Sequence, residues 1–287
     1  MNKMKKIVIA VVAVICIAAI ALGIGIKAHN KANKPVEYNV QSMVSVEFEG
    51  KDDIKLIAHR GFRAIAPENT IPAFQRATEA GYWAAECDIY RTKDGVWVLM
   101  HDDTVNRMTD GKGKVEEKTY DELMKYTIDN GNSLSSYPDT KIPTLDEYLT
   151  ECDGSKMNAF IELKGDNNIE HYNEIIETVK KHKSNVTYIS FGAENLKAIR
   201  KLDDKATLFL LVHKITDDSI KTAKEIGCAG IDFNVSEKSN LKKDGAAIKK
   251  ITDAGLIPAA WTVDDTELLK TLAGYGVQYI TTDCITY

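Results

Sequence analysis

The sequence lacks the patterns of several common functional classes. Among its five cysteines and six histidines there is no Cys-x2-Cys pair and no His-x3-His spacing, which argues against a structural zinc site. No Gly-x-Gly-x-x-Gly motif follows the first apolar run of the main domain, so the most common dinucleotide-binding signal is missing. Excess positive charge is missing too, since the formal net charge of the 287 residues is −5. This balance argues against a nucleic-acid partner, and no pattern predicts a protein partner.

Closely spaced cysteines are also absent. We predict buried, unbridged thiols, with disulfide pairing as the alternative, for the four cysteines of the main domain, Cys87, Cys152, Cys228 and Cys284. The fifth, Cys16, follows Val14-Ile15 rather than the small residues that a lipoprotein cleavage site needs. A lipoprotein anchor is therefore not predicted.

One long apolar segment, Ile7–Ile26, contains no charged residue. As a helix it would cover about 30 Å, the thickness of a bilayer core. Signal peptides usually have shorter apolar regions, of about 7–15 residues, and no convincing cleavage site is present. We predict a tail at 1–6 and a single transmembrane anchor at 7–26 in the cell membrane, with a cleaved signal peptide or a buried helix as alternatives. Lysines flank both ends of this segment, so the positive-inside rule orients it only weakly. We predict that the rest of the chain lies outside the cytoplasm, mainly because the N-terminal tail is short and carries lysines.

The rest of the chain divides into a polar linker at 27–52, with a short strand at Val44–Phe48, and one large domain at 53–287. Short apolar runs alternate with amphipathic stretches across this domain. Each run is continuous, as in strands buried on both faces of a parallel sheet. The eight predicted strands are Ile54–Ala58, Trp83–Ile89, Ala159–Leu163, Thr187–Phe191, Thr207–Val212, Gly230–Phe233, Ile257–Val263 and Gln278–Thr281. This order predicts an α/β fold, a TIM (β/α)8 barrel, with a doubly wound open sheet as the alternative.

Cap residues mark the helices between these strands. Asn69-Thr70 with Pro72 predicts a helix start, and Gly81, Gly227 and Gly255 predict helix ends.

One extra strand, Val96–His101, follows the second barrel strand after only five residues, too few for a parallel crossover. We predict an antiparallel hairpin that folds back near Lys93 and places His101 beside Ala85 and Glu86. An insertion at about 90–157 then precedes the third barrel strand. It carries short helices near Tyr120–Tyr126 and Thr144–Thr150.

Three carboxylates fall on two neighbouring predicted strands. Glu86 and Asp88 are two residues apart and share one face of their strand, and Glu162 lies on the next strand. Such close like charges would raise one another's pKa values, a conflict that a divalent cation removes. An all-oxygen site favours Mg²⁺ or Ca²⁺. The sequence therefore predicts a metal site, with a structural ion cluster that includes Arg60 and Lys164 as the alternative.

Two histidines reach the same end of the predicted barrel, His59 from the first strand and His101 from the hairpin. A pair of imidazoles can supply the base and the acid of one displacement. Arg60 and Lys164 add positive charge that suits a phosphate oxyanion.

Aromatic residues also end predicted strands. Trp261 and Phe191 are predicted to wall a small polyol or a lipid chain, with barrel packing as the alternative. His213 ends a further strand and is a weaker candidate.

The segment from about 54 to 287 resembles the glycerophosphodiester phosphodiesterase family. The ordered motifs that carry the resemblance are His59-Arg60-Gly61, Pro67-Glu68-Asn69-Thr70, Glu86-Cys87-Asp88, Lys93-Asp94-Gly95, His101-Asp102, Glu162-Leu163-Lys164, Trp261-Thr262-Val263 and Ile280-Thr281-Thr282-Asp283. Each tripeptide alone is weak, but the series is specific.

The resemblance implies a TIM barrel with an insertion after the second strand. It implies three metal ligands (Glu86, Asp88 and Glu162), an acid–base pair (His59 and His101) and two phosphate contacts (Arg60 and Lys164). Glu68 and Asn69 would orient the metal ligands and cap a helix.

The implied reaction is metal-dependent hydrolysis of a small or lipid-derived glycerophosphodiester to glycerol 3-phosphate and an alcohol. The nucleophile is water or the substrate's own glycerol hydroxyl, which would form a cyclic phosphate first. The alternatives are a lysophospholipase D-like enzyme that acts on lysolipids and a non-catalytic surface-binding protein.

Overall fold

The computed structural model describes residues 42–165, 168–235 and 241–287, with only the backbone for 241–244. Its strands are β1 (Val44–Ser45), β2 (Lys55–Ala58), β3 (Ala84–Arg91), β4 (Trp97–Leu99), β5 (Asn158–Leu163), β6 (Val186–Ser190), β7 (Thr207–Val212), β8 (Gly230–Asn234), β9 (Ile257–Trp261), β10 (Tyr279–Thr282) and β11 (Ile285–Thr286). Its α-helices are α1 (Ile71–Glu79), α2 (Tyr120–Leu123), α3 (Leu145–Ser155), α4 (Tyr172–Val179), α5 (Ala193–Leu202), α6 (Asp217–Ile226), α7 (Leu241–Asp253) and α8 (Thr266–Gly274). Short 3-10 turns lie at Lys51–Asp53, Val115–Glu117, Leu134–Ser136 and Ile169–His171.

Eight parallel strands close into a barrel. They follow the order β2-β3-β5-β6-β7-β8-β9-β10, and pairing of β10 with β2 completes the ring. The TIM barrel and all eight predicted strands are therefore confirmed. Because the carboxyl ends of parallel strands share one edge, the side chains that follow those ends meet at one mouth of the barrel.

Two apolar layers explain why the strand sequences are continuous rather than alternating. Inward-facing residues such as Ile57, Phe160 and Phe209 fill the barrel interior. Outward-facing residues such as Ile161 and Leu210 pack in the layer that also holds buried helix residues. The cysteines belong to this outer layer, and all four are buried thiols outside disulfides, as predicted.

Helix α1 begins at the predicted point, but a different residue caps it. The Thr70 hydroxyl accepts a hydrogen bond from the Ala73 amide at 3.4 Å, and Pro72 lies in the first turn. The capping part of the role predicted for Asn69 is therefore wrong, because its side chain turns towards β3 instead. Gly81 and Gly227 have φ of +78° and +75° where their helices end, as predicted.

The β3–β4 hairpin is antiparallel, as predicted, but its centre lies one residue later than predicted. Ile89 lies opposite Leu99, which centres the fold-back on Asp94 rather than Lys93. The Thr92 hydroxyl stabilises this turn, because it donates to Asp94 at 2.7 Å and accepts from the Val96 amide at 2.8 Å. Continued in this register, His101 falls opposite Cys87, one residue beyond the predicted neighbours Ala85 and Glu86.

The insertion after β4 has a small core of its own. Helix α2 and the start of α3 lie where short helices were predicted. The core of this segment includes Met100, Val105, Leu123 and Ile142, each at most 2% exposed. This packing gives the loop that follows β4 a rigid support.

A short strand precedes the barrel. The segment predicted as a strand at Val44–Phe48 forms the two-residue strand β1, which pairs with β11. The predicted tail, the anchor Ile7–Ile26 and most of the predicted linker lie outside the described residues. Among the residues that are described, none of the helices is both long and apolar enough to span a membrane.

Candidate active site

Three buried carboxylates converge at the mouth of the barrel. Glu86 and Asp88 come from β3 and Glu162 from β5, and the parallel register sets Asp88 beside Glu162. One oxygen from each of the three carboxylates lies within 4.8 Å of the other two. The convergence predicted from the two-residue spacing is therefore present.

The electrostatics of this cluster fit a divalent cation. Burial, together with the charges of Asp88 and Glu162, raises the pKa of Glu86 well above its usual range. Burial and the charge of Asp88 raise the pKa of Glu162 to about 7. Glu86 Oε1 is buried and accepts no hydrogen bond from any described residue. Unmatched negative charge and an orphaned oxygen in an all-oxygen donor set are what Mg²⁺ or Ca²⁺ would satisfy.

Arg60 and Lys164 lie against these carboxylates. Lys164 Nζ is 2.8 Å from Glu162 Oε1 and 3.0 Å from Asp88 Oδ1. Arg60 Nε is 3.5 Å from Asp88 Oδ2, and the Arg60 backbone amide donates to Glu86 Oε2 at 2.8 Å. Burial alone would raise the pKa of Asp88, but Lys164 and Arg60 outweigh it and hold that pKa below its usual range. Both basic residues line the pocket, and their phosphate-binding role stays a prediction.

Asn69 holds Asp88 in place. Its amide nitrogen donates to Asp88 Oδ2 at 2.8 Å, and its carbonyl oxygen accepts from the Asp88 backbone amide at 3.2 Å. Asn69 reaches this position with a left-handed φ of +53°, which asparagine tolerates better than most residues. This contact matches the orienting part of the predicted role.

Each of the two predicted histidines has a carboxylate partner. His59 Nδ1 lies 2.6 Å from Asp283 Oδ1, and His101 Nδ1 lies 2.8 Å from Asp102 Oδ1. An ionised carboxylate can only accept, so each Nδ1 carries the proton and each Nε2 is left for chemistry. Burial, and next the charge of Arg60, lowers the pKa of His59, which favours its neutral form.

A pocket of about 190 Å³ joins the carboxylates and histidines to an aromatic wall. Phe191 and His213 stack with centroids 4.7 Å apart, and the Trp261 ring stands edge-on to Phe191 at 5.5 Å. The two predicted wall residues and the weaker candidate His213 therefore lie together. Phe191 is 41% exposed, so it forms the outer rim of the wall.

Four charged residues of this mouth were not predicted as site residues from the sequence, namely Asp102, Asp283, Arg63 and Arg107. Asp283 and Asp102 hold the histidines, and Arg63 and Arg107 contact these two aspartates. Asp283 and Asp102 do occur in the motifs that carry the family resemblance, so a signal was present. Neither arginine lies in such a motif.

Asp232 was missed as well. It lines the pocket from β8, is 1% exposed, and its Oδ1 has no hydrogen-bond partner among the described residues. The available signal was a lone carboxylate inside the otherwise apolar run Gly230–Phe233, but the sequence does not show that this side chain points into the barrel.

The known proteins that this chain resembles are phosphodiesterases of one family. The model of the glycerophosphoryl diester phosphodiesterase family matches residues 59–286. A Bacillus altitudinis glycerophosphodiester phosphodiesterase is 31% identical over 238 residues, which are 80% of this chain and 94% of that protein. The human glycerophosphodiester phosphodiesterase 1 is 40% identical over 132 residues, but the match covers 46% of this chain and 38% of the human protein. The match thus spans little more than a third of that relative.

Solved structures give the same picture. A phosphodiesterase of Oleispira antarctica, in complex with the product sn-glycerol-3-phosphate, has a TM-score of 0.73 and 27% identity, with 80% of this chain and 92% of that chain covered. A glycerophosphodiester phosphodiesterase of Parabacteroides distasonis has a TM-score of 0.68 and 30% identity, with 82% and 94% covered.

Proposed function

The chain belongs to the glycerophosphoryl diester phosphodiesterase family, and on this premise we propose that it hydrolyses glycerophosphodiesters to glycerol 3-phosphate and an alcohol. One observation carries the proposal: three buried carboxylates and two histidine–aspartate pairs line the same small mouth. The Oleispira antarctica enzyme, whose solved complex holds sn-glycerol-3-phosphate, supports the same product here.

Glu86, Asp88 and Glu162 would hold one Mg²⁺ or Ca²⁺. When bound, such an ion neutralises negative charge that develops on the phosphoryl oxygens. Lys164 and Arg60, which already contact these carboxylates, would turn their remaining N–H donors towards the same oxygens.

The histidines would move the protons. We assign the base to His59, because its imidazole is buried, neutral and fixed by Asp283 through Nδ1. Its Nε2 takes the proton of the attacking hydroxyl, from water or from the substrate's glycerol. His101 would enter the step as the imidazolium, with Nδ1–H held by Asp102, and its Nε2 gives a proton to the alcohol oxygen as its bond to phosphorus breaks. In the glycerol route, water then opens the cyclic phosphate with the two roles exchanged.

Product analysis on a substrate panel tests this function. The full chain in detergent is given glycerophosphocholine, glycerophosphoethanolamine and a lysophosphatidylcholine, with and without chelator. The proposal expects glycerol 3-phosphate from the first two in the presence of Mg²⁺ or Ca²⁺. A clear preference for the lysolipid would make the enzyme lysophospholipase D-like, and no turnover of any diester would contradict both activities.

Asp232 is suited to bind a hydroxyl of the glycerol group. It lines the pocket beside the aromatic wall, where the Trp261 indole N–H donates to its backbone carbonyl at 3.3 Å, and its buried Oδ1 has no hydrogen-bond partner in the described part of the chain. Leaving a buried polar atom unpaired is costly, so a substrate hydroxyl there would be favoured over a methylene.

Asp232→Leu should therefore reduce the preference for glycerol. We expect the ratio of kcat/KM between glycerophosphocholine and 2-hydroxypropylphosphocholine, which keeps the hydroxyl next to the phosphate and lacks the terminal one, to fall by about tenfold, the value of one buried hydrogen bond. Asp232→Asn, which keeps a hydrogen-bonding side chain, should retain most of the ratio. An unchanged ratio in the leucine variant would remove Asp232 from the glycerol subsite.

We also propose that Ile7–Ile26 anchors the enzyme in the cell membrane with the barrel outside the cytoplasm. The support is the uncharged length of the segment and its Lys-bearing flanks. Protease added to intact cells should cut the barrel. Cleavage that requires cell lysis would contradict this orientation.

A further inference from the structure

One buried glutamate contacts three arginines beside the site. Glu68 is 6% exposed, and its Oε1 accepts hydrogen bonds from Arg60 Nη1 at 3.0 Å and Arg107 Nη2 at 2.6 Å. Its Oε2 lies 3.5 Å from Arg63 Nη1. Burial alone would raise the pKa of Glu68, but the arginines lower it to about 2, so the carboxylate stays ionised.

Arg63 leads from Glu68 to the first histidine. Its Nε lies 3.6 Å from Asp283 Oδ1, the oxygen that is 2.6 Å from His59 Nδ1. Arg63 is 4% exposed, so the guanidinium is confined between the two carboxylates. The contacts form one arm, from Glu68 through Arg63 and Asp283 to His59.

Arg107 leads from Glu68 to the second histidine. It grips Asp102 with two bonds, from Nε to Oδ2 at 2.7 Å and from Nη2 to Oδ1 at 3.1 Å. Asp102 Oδ1 is in turn 2.8 Å from His101 Nδ1. A bidentate arginine fixes the plane of its carboxylate and not only its position. The second arm therefore runs from Glu68 through Arg107 and Asp102 to His101.

We propose that Glu68 is a positioning residue that orients both histidines at once through these two arms. The proposal rests on the acid–base roles given to the histidines above. The five partners come from three loops: Arg63 and Glu68 lie between β2 and α1, Asp283 follows β10, and Asp102 and Arg107 belong to the insertion. A shared ionic contact would fix these side chains relative to one another across the three loops.

Loss of the Glu68 charge should disturb both arms. Three guanidinium groups would then share a buried space without the anion that draws them together. Arg63 and Arg107 would be drawn further onto Asp283 and Asp102, and both carboxylates would turn away from the imidazoles. A residue that only packed the loop would affect neither imidazole specifically.

The test is Glu68→Gln in the full chain in detergent micelles, followed by ¹⁵N NMR of labelled histidine. At a pH where both imidazoles are neutral, His59 and His101 of the unsubstituted protein should each show one tautomer with the proton on Nδ1. In the variant both should show mixed tautomers, and kcat should fall about 10- to 100-fold with little change in KM. Glu174→Gln is the matched control, since Arg91 also grips Glu174 with two bonds, of 2.9 and 2.8 Å, away from these histidines.

Unchanged tautomers at both histidines in the folded glutamine variant would overturn the proposal, and so would a change at only one of them. If Glu68→Gln does not fold, Arg107→Lys provides the second test. Lysine keeps the positive charge but cannot form the two hydrogen bonds that the guanidinium makes to Asp102. His101 should therefore show mixed tautomers, and His59 should keep its single tautomer. A native His101 signal in that variant would also overturn the proposal. Because tautomers are read without substrate, the result stands apart from the outcome of the substrate panel.

Discussion

Asp88→Asn is expected to remove divalent-cation binding and to lower turnover by roughly a thousandfold. Asp88 is fully buried at the centre of the cluster, beside both Glu86 and Glu162. Asparagine keeps the shape of the side chain but supplies no charge to the ion. A metal ion stabilises the charge of such a transition state by several kcal/mol, and about 1.4 kcal/mol corresponds to a factor of ten in rate.

Calorimetry with Mg²⁺ and Ca²⁺ measures the binding directly, apart from any activity. Chelation of the unsubstituted enzyme should give the same loss of turnover, and either ion should restore it. Glu194→Gln is the control, because Glu194 is 72% exposed and pairs only with a neighbouring surface lysine among the ion pairs of the described chain. Native metal affinity in the Asp88 variant, or full activity in protein shown by elemental analysis to be metal-free, would contradict the prediction.

His59→Ala and His101→Ala are expected to lower kcat by about 10²- to 10⁴-fold each, the usual value of general acid or base catalysis. Both should retain metal affinity, because neither imidazole belongs to the carboxylate cluster. The two losses should not multiply, since the second substitution acts on a site that is already disabled. The double variant should therefore be little slower than the slower single variant.

A substrate with a very good leaving group assigns the two roles. The leaving alcohol of such a substrate needs no proton. The substrate should therefore restore the turnover of His101→Ala, which lacks the proposed acid, and leave the turnover of His59→Ala low. The reverse pattern would exchange the two roles. Near-native turnover of a glycerophosphodiester in both single variants would show that this pair is not the catalytic acid and base.

The strands were predictable because their signal is local. The run Leu208–Val212 is apolar at every position, and its first four residues are buried, as expected of a strand covered on both faces. The convergence of the three carboxylates followed from the same periodicity, since Glu86 and Asp88 share a face and the next barrel strand brings Glu162 beside them. Because the backbone geometry of strands is regular, the proximity of residues that are far apart in the sequence can be predicted in such cases.

The parts that could not be predicted depend on side-chain contacts between loops. The positions of Arg107 and Glu68 in the sequence do not indicate that they touch, because their contact depends on how the insertion packs. The exact register of the hairpin was also not predictable, because it depends on the conformation of the turn around Asp94, which places His101 one residue beyond its expected neighbours. The inward direction of Asp232 likewise required the closed barrel.

The pairing of β1 with β11 determines where the chain can be cut. The Val44 amide donates to the Cys284 carbonyl at 3.0 Å and the Val46 amide to the Thr286 carbonyl at 2.9 Å, so the segment before the barrel clasps the C-terminal tail. Cys284 directly follows Asp283, the partner of His59. A recombinant fragment that starts at residue 53 would expose the edge of β11 and release the tail next to that aspartate. We therefore expect the shortest fragment with a native mouth to start ahead of Val44.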